Sequence, residues 1–245
     1  MQDKTGNPAF GAKALERLQA TESTSYATVG GTTIKILILL ALVIASGYFG
    51  WQGAAHNSTS MVFLMAGAAI GSLVFALLAI FMPKTTPVTA PLYALAEGYL
   101  LGVISKYAEV SYGGIVVQAI ALTGVILFTT LFLYQAQIVK VTQKFRSIVI
   151  ISTVGIAVYF LLALILGLFG VEMPLIYNTG TFGIIFSLVV VFVASLNLFL
   201  DFDFIERTAS SKSAPKVFEW YGAFGLMVTL IWLYISIIRL LSNSR

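Results

Sequence analysis

Apolar residues run along this chain for about 20 positions at a time, the length an α-helix needs to cross the hydrocarbon of a bilayer. Seven such runs are legible, at 33–51, 60–82, 88–105, 114–134, 147–170, 181–201 and 218–241. None shows the period-2 alternation of a barrel strand, so the spans are read as helices. Polar and turn-forming stretches separate them: WQGAAHNSTS at 51–60, PKTTP at 83–87, SYGG at 111–114 and EMPLIYNTG at 172–180. The third span is the weakest, because Pro87, Pro91 and Glu97 interrupt it. Residues 1–32 then form a polar N-terminal segment, 33–241 a seven-helix transmembrane domain, and 202–217 the longest and most polar connection. The first apolar run is long enough to remain as an anchor, so no cleavable signal peptide is expected.

Composition agrees with the pattern. Hydrophobic residues make up 59% of the chain and charged ones 10%, and the mean hydropathy is +0.96. The basic residues fix the orientation. Eleven fall on one side: Lys4, Lys13, Arg17, Lys35, Lys84, Lys140, Lys144, Arg146, Arg207, Lys212 and Lys216. Three, Lys106, Arg239 and Arg245, fall on the other. The positive-inside rule makes the N-terminus cytoplasmic and the C-terminus not. The net charge of +4 therefore reflects topology and carries no argument for nucleic-acid binding. With no cysteine and His56 as the single histidine, thiolate, His-triad and His-rich metal chemistry have no residues to draw on.

Acidic residues are few, and four of the ten gather in one place. NLFLDFDFIER, residues 197–207, puts Asp201, Asp203 and Glu206 at the cytoplasmic end of span six, and Glu219 opens span seven. At 100° per residue Asp201 lies one turn after Asn197 on the same face, which makes a polar line. Asp203 points about 200° away, onto the face of Leu196, Leu200 and Phe199, so only one aspartate is expected to face the bundle interior, and the line favours Asp201. Glu219 enters a helix whose first turns hold Gly222, Ala223 and Gly225, small enough for close helix approach. Asp201 and Glu219 brought together would share a proton. Asp203 and Glu206 are expected in solvent or paired with Arg207, Lys212 or Lys216, with Asp203 kept as a third candidate for the proton-sharing site.

Glu97, in APLYALAEGYLLG, is the deepest acid in the chain. Intramembrane ionisable groups usually face a cavity or a partner, which makes Glu97 a candidate for a conduction path. Ala94, Gly98 and Gly102 form a small-xxx-small face beside it. Its structural alternative is a helix fastener, salt-bridged to Lys35. Gly67 and Gly71 form a second small face, read as helix packing. No P-loop, GxSxG, HExxH, GxGxxG or EF-hand loop occurs. Enzyme chemistry is not expected.

Several stretches resemble the Bax inhibitor-1 family, the transmembrane Bax-inhibitor-motif proteins, and most closely its bacterial branch with an N-terminal SNPAF-like segment. They are GNPAF at 6–10, VGGTTIKILILL at 29–40, APLYALAEGYLLGVIS at 90–105, NLFLDFDFIER, and APKVFEWYGAFGLMVTLIWLYISIIRLL at 214–241. The resemblance implies two layers of three helices around a central seventh helix. It also implies a pH-sensitive calcium leak, latched at the cytoplasmic mouth by aspartates on helices six and seven that share protons. Asp201 matches the first aspartate. Ser236 stands where the second is expected, but it lies about 25 Å along a helix from Glu219 and cannot reach Asp201. Glu219 is the better spatial substitute.

Three functions follow from these readings. The first is a cation leak, with calcium the leading ion because it prefers oxygen ligands such as Asp201 and Glu219. The second is regulation of a membrane-anchored protease or a cell-death component by docking on the N-terminal segment or the sixth connection. The third is proton-coupled transport through Glu97 and Asp201, although the two halves show no convincing repeat or paired broken helices. No cofactor is implied. The setting expected is the bacterial inner membrane.

Overall fold

The computed structural model describes residues 26–54, 59–170, 180–211 and 213–245. His56, Lys212 and most of the polar N-terminal segment lie outside the described residues. Among those described, seven helices are long and apolar enough to cross a membrane. They are α1 (Val29–Ala54), α2 (Thr59–Phe81), α3 (Thr86–Ser111), α4 (Ile115–Gln135), α5 (Gln143–Leu168), α6 (Thr181–Ser210) and α7 (Phe218–Asn243). A 3-10 turn, Pro83–Thr85, leads into α3.

Local sequence sets the helix ends. Pro87 occupies the first turn of α3, where the missing N–H has no helical partner to lose. Pro91 is carried inside the helix. Gly114, at φ 80°, makes the left-handed turn before α4. Thr142 caps α5 by accepting the Phe145 N–H at 3.2 Å.

Helix α7 packs against α1, α3, α4 and α6, while α3 also packs on α1 and α2, and α6 on α4 and α5. The most buried spans are α7, α6 and α3, at 61%, 56% and 50% of their hydrophobic windows, against 11% for α2. A span buried that far is covered by other helices, so α7 is the shared core element. Tyr93 of α3 meets Phe224 of α7 edge to face at 5.2 Å, and Phe204 of α6 meets Phe218 of α7 at 5.5 Å.

The closest helix pair is α1 with α3. A methyl group added at Gly50 would overlap the Tyr99 carbonyl, one at Gly98 the Val43 carbonyl and the Ser46 hydroxyl, and one at Gly102 the Gly47 carbonyl. The small-residue face of α3 therefore holds backbone against backbone. Gly67 has open space around it, and Gly71 meets only Phe75 of its own helix. The packing expected of this second small face does not occur among the described residues. Gly102→Ala should consequently cost about 1–3 kcal/mol or more through overpacking, and Gly67→Ala almost nothing. Thermal unfolding in detergent measures the difference, and equal midpoints would contradict this account of the seam.

Helix α6 departs most from the sequence reading. It continues to Ser210, so Asp201, Asp203 and Glu206 are helical and the connection to α7 is short. Asp203 is also buried, at 5% exposure, together with Asp201 at 1%. The expectation that only one aspartate faces the interior is therefore corrected. Helix α6 has packed partners on several sides, α4, α5 and α7, so two opposite faces are both covered.

Candidate functional site

Consecutive membrane spans run in opposite directions, so the starts of α1, α3, α5 and α7 share one end of the bundle with the ends of α2, α4 and α6. Lys84, Lys140, Lys144, Arg146, Arg207 and Lys216 belong to this basic end. Three of the chain's acids, Asp201, Asp203 and Glu219, are buried there, at 1%, 5% and 2% exposure.

Glu219 sits in the first turn of α7 and turns toward α1. Lys35 Nζ pairs with its Oε2 at 2.5 Å. Thr28 donates to its Oε1 twice, from the backbone N–H and from the hydroxyl, both at 3.1 Å. A methyl at Gly31 would overlap this carboxylate, so the carboxylate keeps its present position because residue 31 has no side chain. Lys35 also lies 5.6 Å from the centroid of the Trp220 ring. The charge that neutralises Glu219 thus comes from the first helix, and its other two donors from Thr28 just ahead of it.

Asp203 is held by two arginines. Arg146, in the first turn of α5, donates to Oδ2 at 2.7 Å, and Arg207, one turn on along α6, donates to Oδ1 at 2.7 Å. Arg146 is only 5% exposed, although it reads in the sequence as a loop charge. Asn197 donates to the Thr153 hydroxyl of α5 at 2.8 Å and to the Val193 carbonyl at 2.9 Å. The polar line that starts at Asn197 therefore includes a contact with α5. Glu206 is exposed and accepts from the Tyr134 hydroxyl of α4 at 2.5 Å. Its exposure matches the sequence reading, while this tyrosine partner was not foreseen.

Glu97 is half-buried in α3, within the reach of the Ser72 hydroxyl of α2. Lys35 is engaged with Glu219, so the proposed Lys35–Glu97 fastener is replaced by Lys35–Glu219. Ser236 is far from the acid cluster. It lines a cavity of about 180 Å³ with Ser187, Trp232 and Arg239, and the Arg239 guanidinium stacks 4.7 Å from the Phe160 ring. Ser187 precedes Asp201 by about four turns of α6, roughly 21 Å, so the cavity belongs to the other half of the bundle.

Among the described residues no three His, Cys, Asp or Glu side chains converge as a metal shell. The arrangement is a set of ion pairs between helices. Glu219 ties α7 to α1, and Asp203 ties α6 to α5.

The family model described as Bax inhibitor 1 like matches residues 7–245. The chain belongs to that family. Nothing matches it among curated proteins or among solved structures. In this Bax inhibitor 1 like chain, sequence reasoning missed Thr28, Arg146, Thr153 and Tyr134 as partners, and assigned Lys35 to another acid. One signal was available. Lys35 lies inside an apolar run and Arg146 borders one, and a cation so placed needs a buried acid for company.

Proposed function

We propose that the protein is a pH-sensitive cation leak, with calcium as the leading ion, gated at its cytoplasmic end by Asp201, Asp203 and Glu219. The observation that supports this reading is the burial of three carboxylates at one end of a membrane bundle. A buried ion pair seldom stabilises a protein more than well-packed apolar residues would, so its presence points to a use beyond fastening. In the paired state Lys35, Arg146 and Arg207 neutralise Glu219 and Asp203, and the mouth is closed. Opening exchanges a base for a cation at the carboxylate oxygens, a surface that suits calcium. Protons compete for the same oxygens, so leak falls in acid and rises as the carboxylates ionise. Glu97 supplies a second acid along the path, deeper in the bundle.

Flux of calcium, sodium and potassium into liposomes holding the purified protein, compared from acidic to mildly alkaline pH, tests the reading. Calcium flux rising with pH is expected, and flux no greater than in protein-free liposomes at every pH would end it. Glu97→Gln keeps shape but loses charge, and should lower flux several-fold without changing insertion or yield. Lower thermal stability with unchanged flux per folded molecule would instead make Glu97 a fastener. The orientation has its own check. A reporter after Arg245 should read as non-cytoplasmic and one near Ser211 as cytoplasmic, from the asymmetry of the basic residues. Both on one side would reject the seven-span topology.

A further inference from the structure

We propose that residues 26–28, ahead of α1, act as a strap on the gate: seated on the connection before α7 they keep Glu219 closed, and lifted they release it. The strap's regulatory role rests on the leak reading above; its coupling to Glu219 does not.

Two sets of contacts seat the strap. Tyr26 pairs with Pro215 in an isolated antiparallel bridge. Beside it, the Ala27 N–H donates to the Ala214 carbonyl at 2.9 Å. Ala27 and Ala214 are 3% and 2% exposed, so this contact is dry. Thr28 follows at once. Its hydroxyl accepts the Gly31 N–H at 2.9 Å, which caps the start of α1. Its N–H and hydroxyl both donate to Glu219 Oε1 at 3.1 Å. Capping alone needs only the bond from Gly31, so the two bonds to Glu219 serve something else. One carboxylate oxygen is held by Lys35 from within the bundle, and the other by the strap from outside it.

The seat is weak in a way that suits a switch. Beyond the Tyr26–Pro215 bridge, a single backbone bond, Ala27 to Ala214, joins the two segments among the described residues. Lifting the strap therefore breaks few bonds, yet it removes both donors from Glu219 Oε1. The charge-assisted bond to Lys35 is left alone to hold α7 to α1 at that point. Because the strap runs directly into α1, a pull on the chain ahead of Tyr26 reaches the gate through one residue, Thr28.

The chain has no cysteine, so a Tyr26→Cys/Pro215→Cys pair gives a unique cross-link. Directly opposed residues of an antiparallel pair lie within the span of a disulfide. The pair is oxidised with copper phenanthroline in liposomes, with each single variant as its control. Cross-linking should hold calcium leak at its acid-pH minimum across the pH range, and dithiothreitol should restore the rise with pH. Leak that still rises with pH in the cross-linked protein overturns the strap's control of the gate. The rate of cross-linking reads coupling without any ion. Thr28→Val and Glu219→Gln should each slow it several-fold, while Gly67→Ala on the open face of α2 should not. Unslowed cross-linking in both variants overturns the coupling. If the reduced protein carries no leak at any pH, the leak reading and the regulatory role fail together, and the rate comparison alone then decides whether strap and Glu219 are coupled.

Discussion

Arg146→Met lowers the stability of the protein by about 3–5 kcal/mol, the cost of removing one partner from a buried charge pair. Its side chain and that of Asp203 are each only 6% exposed. The variant leaves the Asp203 carboxylate with Arg207, whose side chain is 51% exposed and whose attraction water screens. Arg207→Met therefore costs about 1 kcal/mol or less, as exposed pairs do. The double variant Arg146→Met/Asp203→Leu recovers most of the loss, because neither charge then remains buried. Thermal unfolding in one detergent orders the three. If Arg207→Met proves as costly as Arg146→Met, burial does not decide the strength of these pairs.

Lys35→Met should have a comparable effect on stability and, under the proposed leak function, a larger one on flux. It strands the Glu219 carboxylate, 2% exposed, with two Thr28 donors and no cation, at a cost of about 3–5 kcal/mol. The reverse change is milder. Glu219→Gln leaves a Lys35 side chain that is 16% exposed, lies over Trp220, and can extend its ammonium toward water. About 1–3 kcal/mol is expected there. Lys35→Met frees the carboxylate from its base, so calcium leak at neutral pH should rise well above wild type. Glu219→Gln removes one of the three titrating groups proposed for the gate, so the pH profile should flatten. Combining the two should restore stability toward that of Glu219→Gln and keep the flat profile. A double variant as unstable as Lys35→Met would mean that Lys35 serves another partner.

The sequence carried the seven spans because hydropathy over about 20 residues is dictated by the bilayer itself. The acidic cluster was legible too, since acids beside apolar runs are conspicuous. Partner identity was legible only for Arg207, one turn along the helix from Asp203. Thr28 and Lys35 precede Glu219 by 191 and 184 residues, and Arg146 precedes Asp203 by 57, so no local spacing links them. The end of α6 was misplaced for the same reason. Asp201 and Asp203 look like a membrane boundary when each is weighed alone, yet with bases supplied by other helices the helix continues through both to Ser210. The wheel argument that faced Asp203 outward assumed a single buried stripe. Helix α6 has more than one.

The glycine contact between α1 and α3 bears on how the chain is built during synthesis. Helix α3 has the lowest mean hydropathy of the seven spans, 1.3, where the others reach 2.1 to 2.8. It also carries Pro91 and Glu97, so it is the span least able to partition into lipid unaided. Helix α1 emerges earlier and offers Gly47 and Gly50 as a groove into which the Gly98–Gly102 ridge fits. The nascent chain can thus retain α3 by docking it on a helix already in the bilayer. Bulky residues at Gly47 or Gly50 should then appear first as failed integration of α3 at the translocon, before any finished protein exists to be unstable.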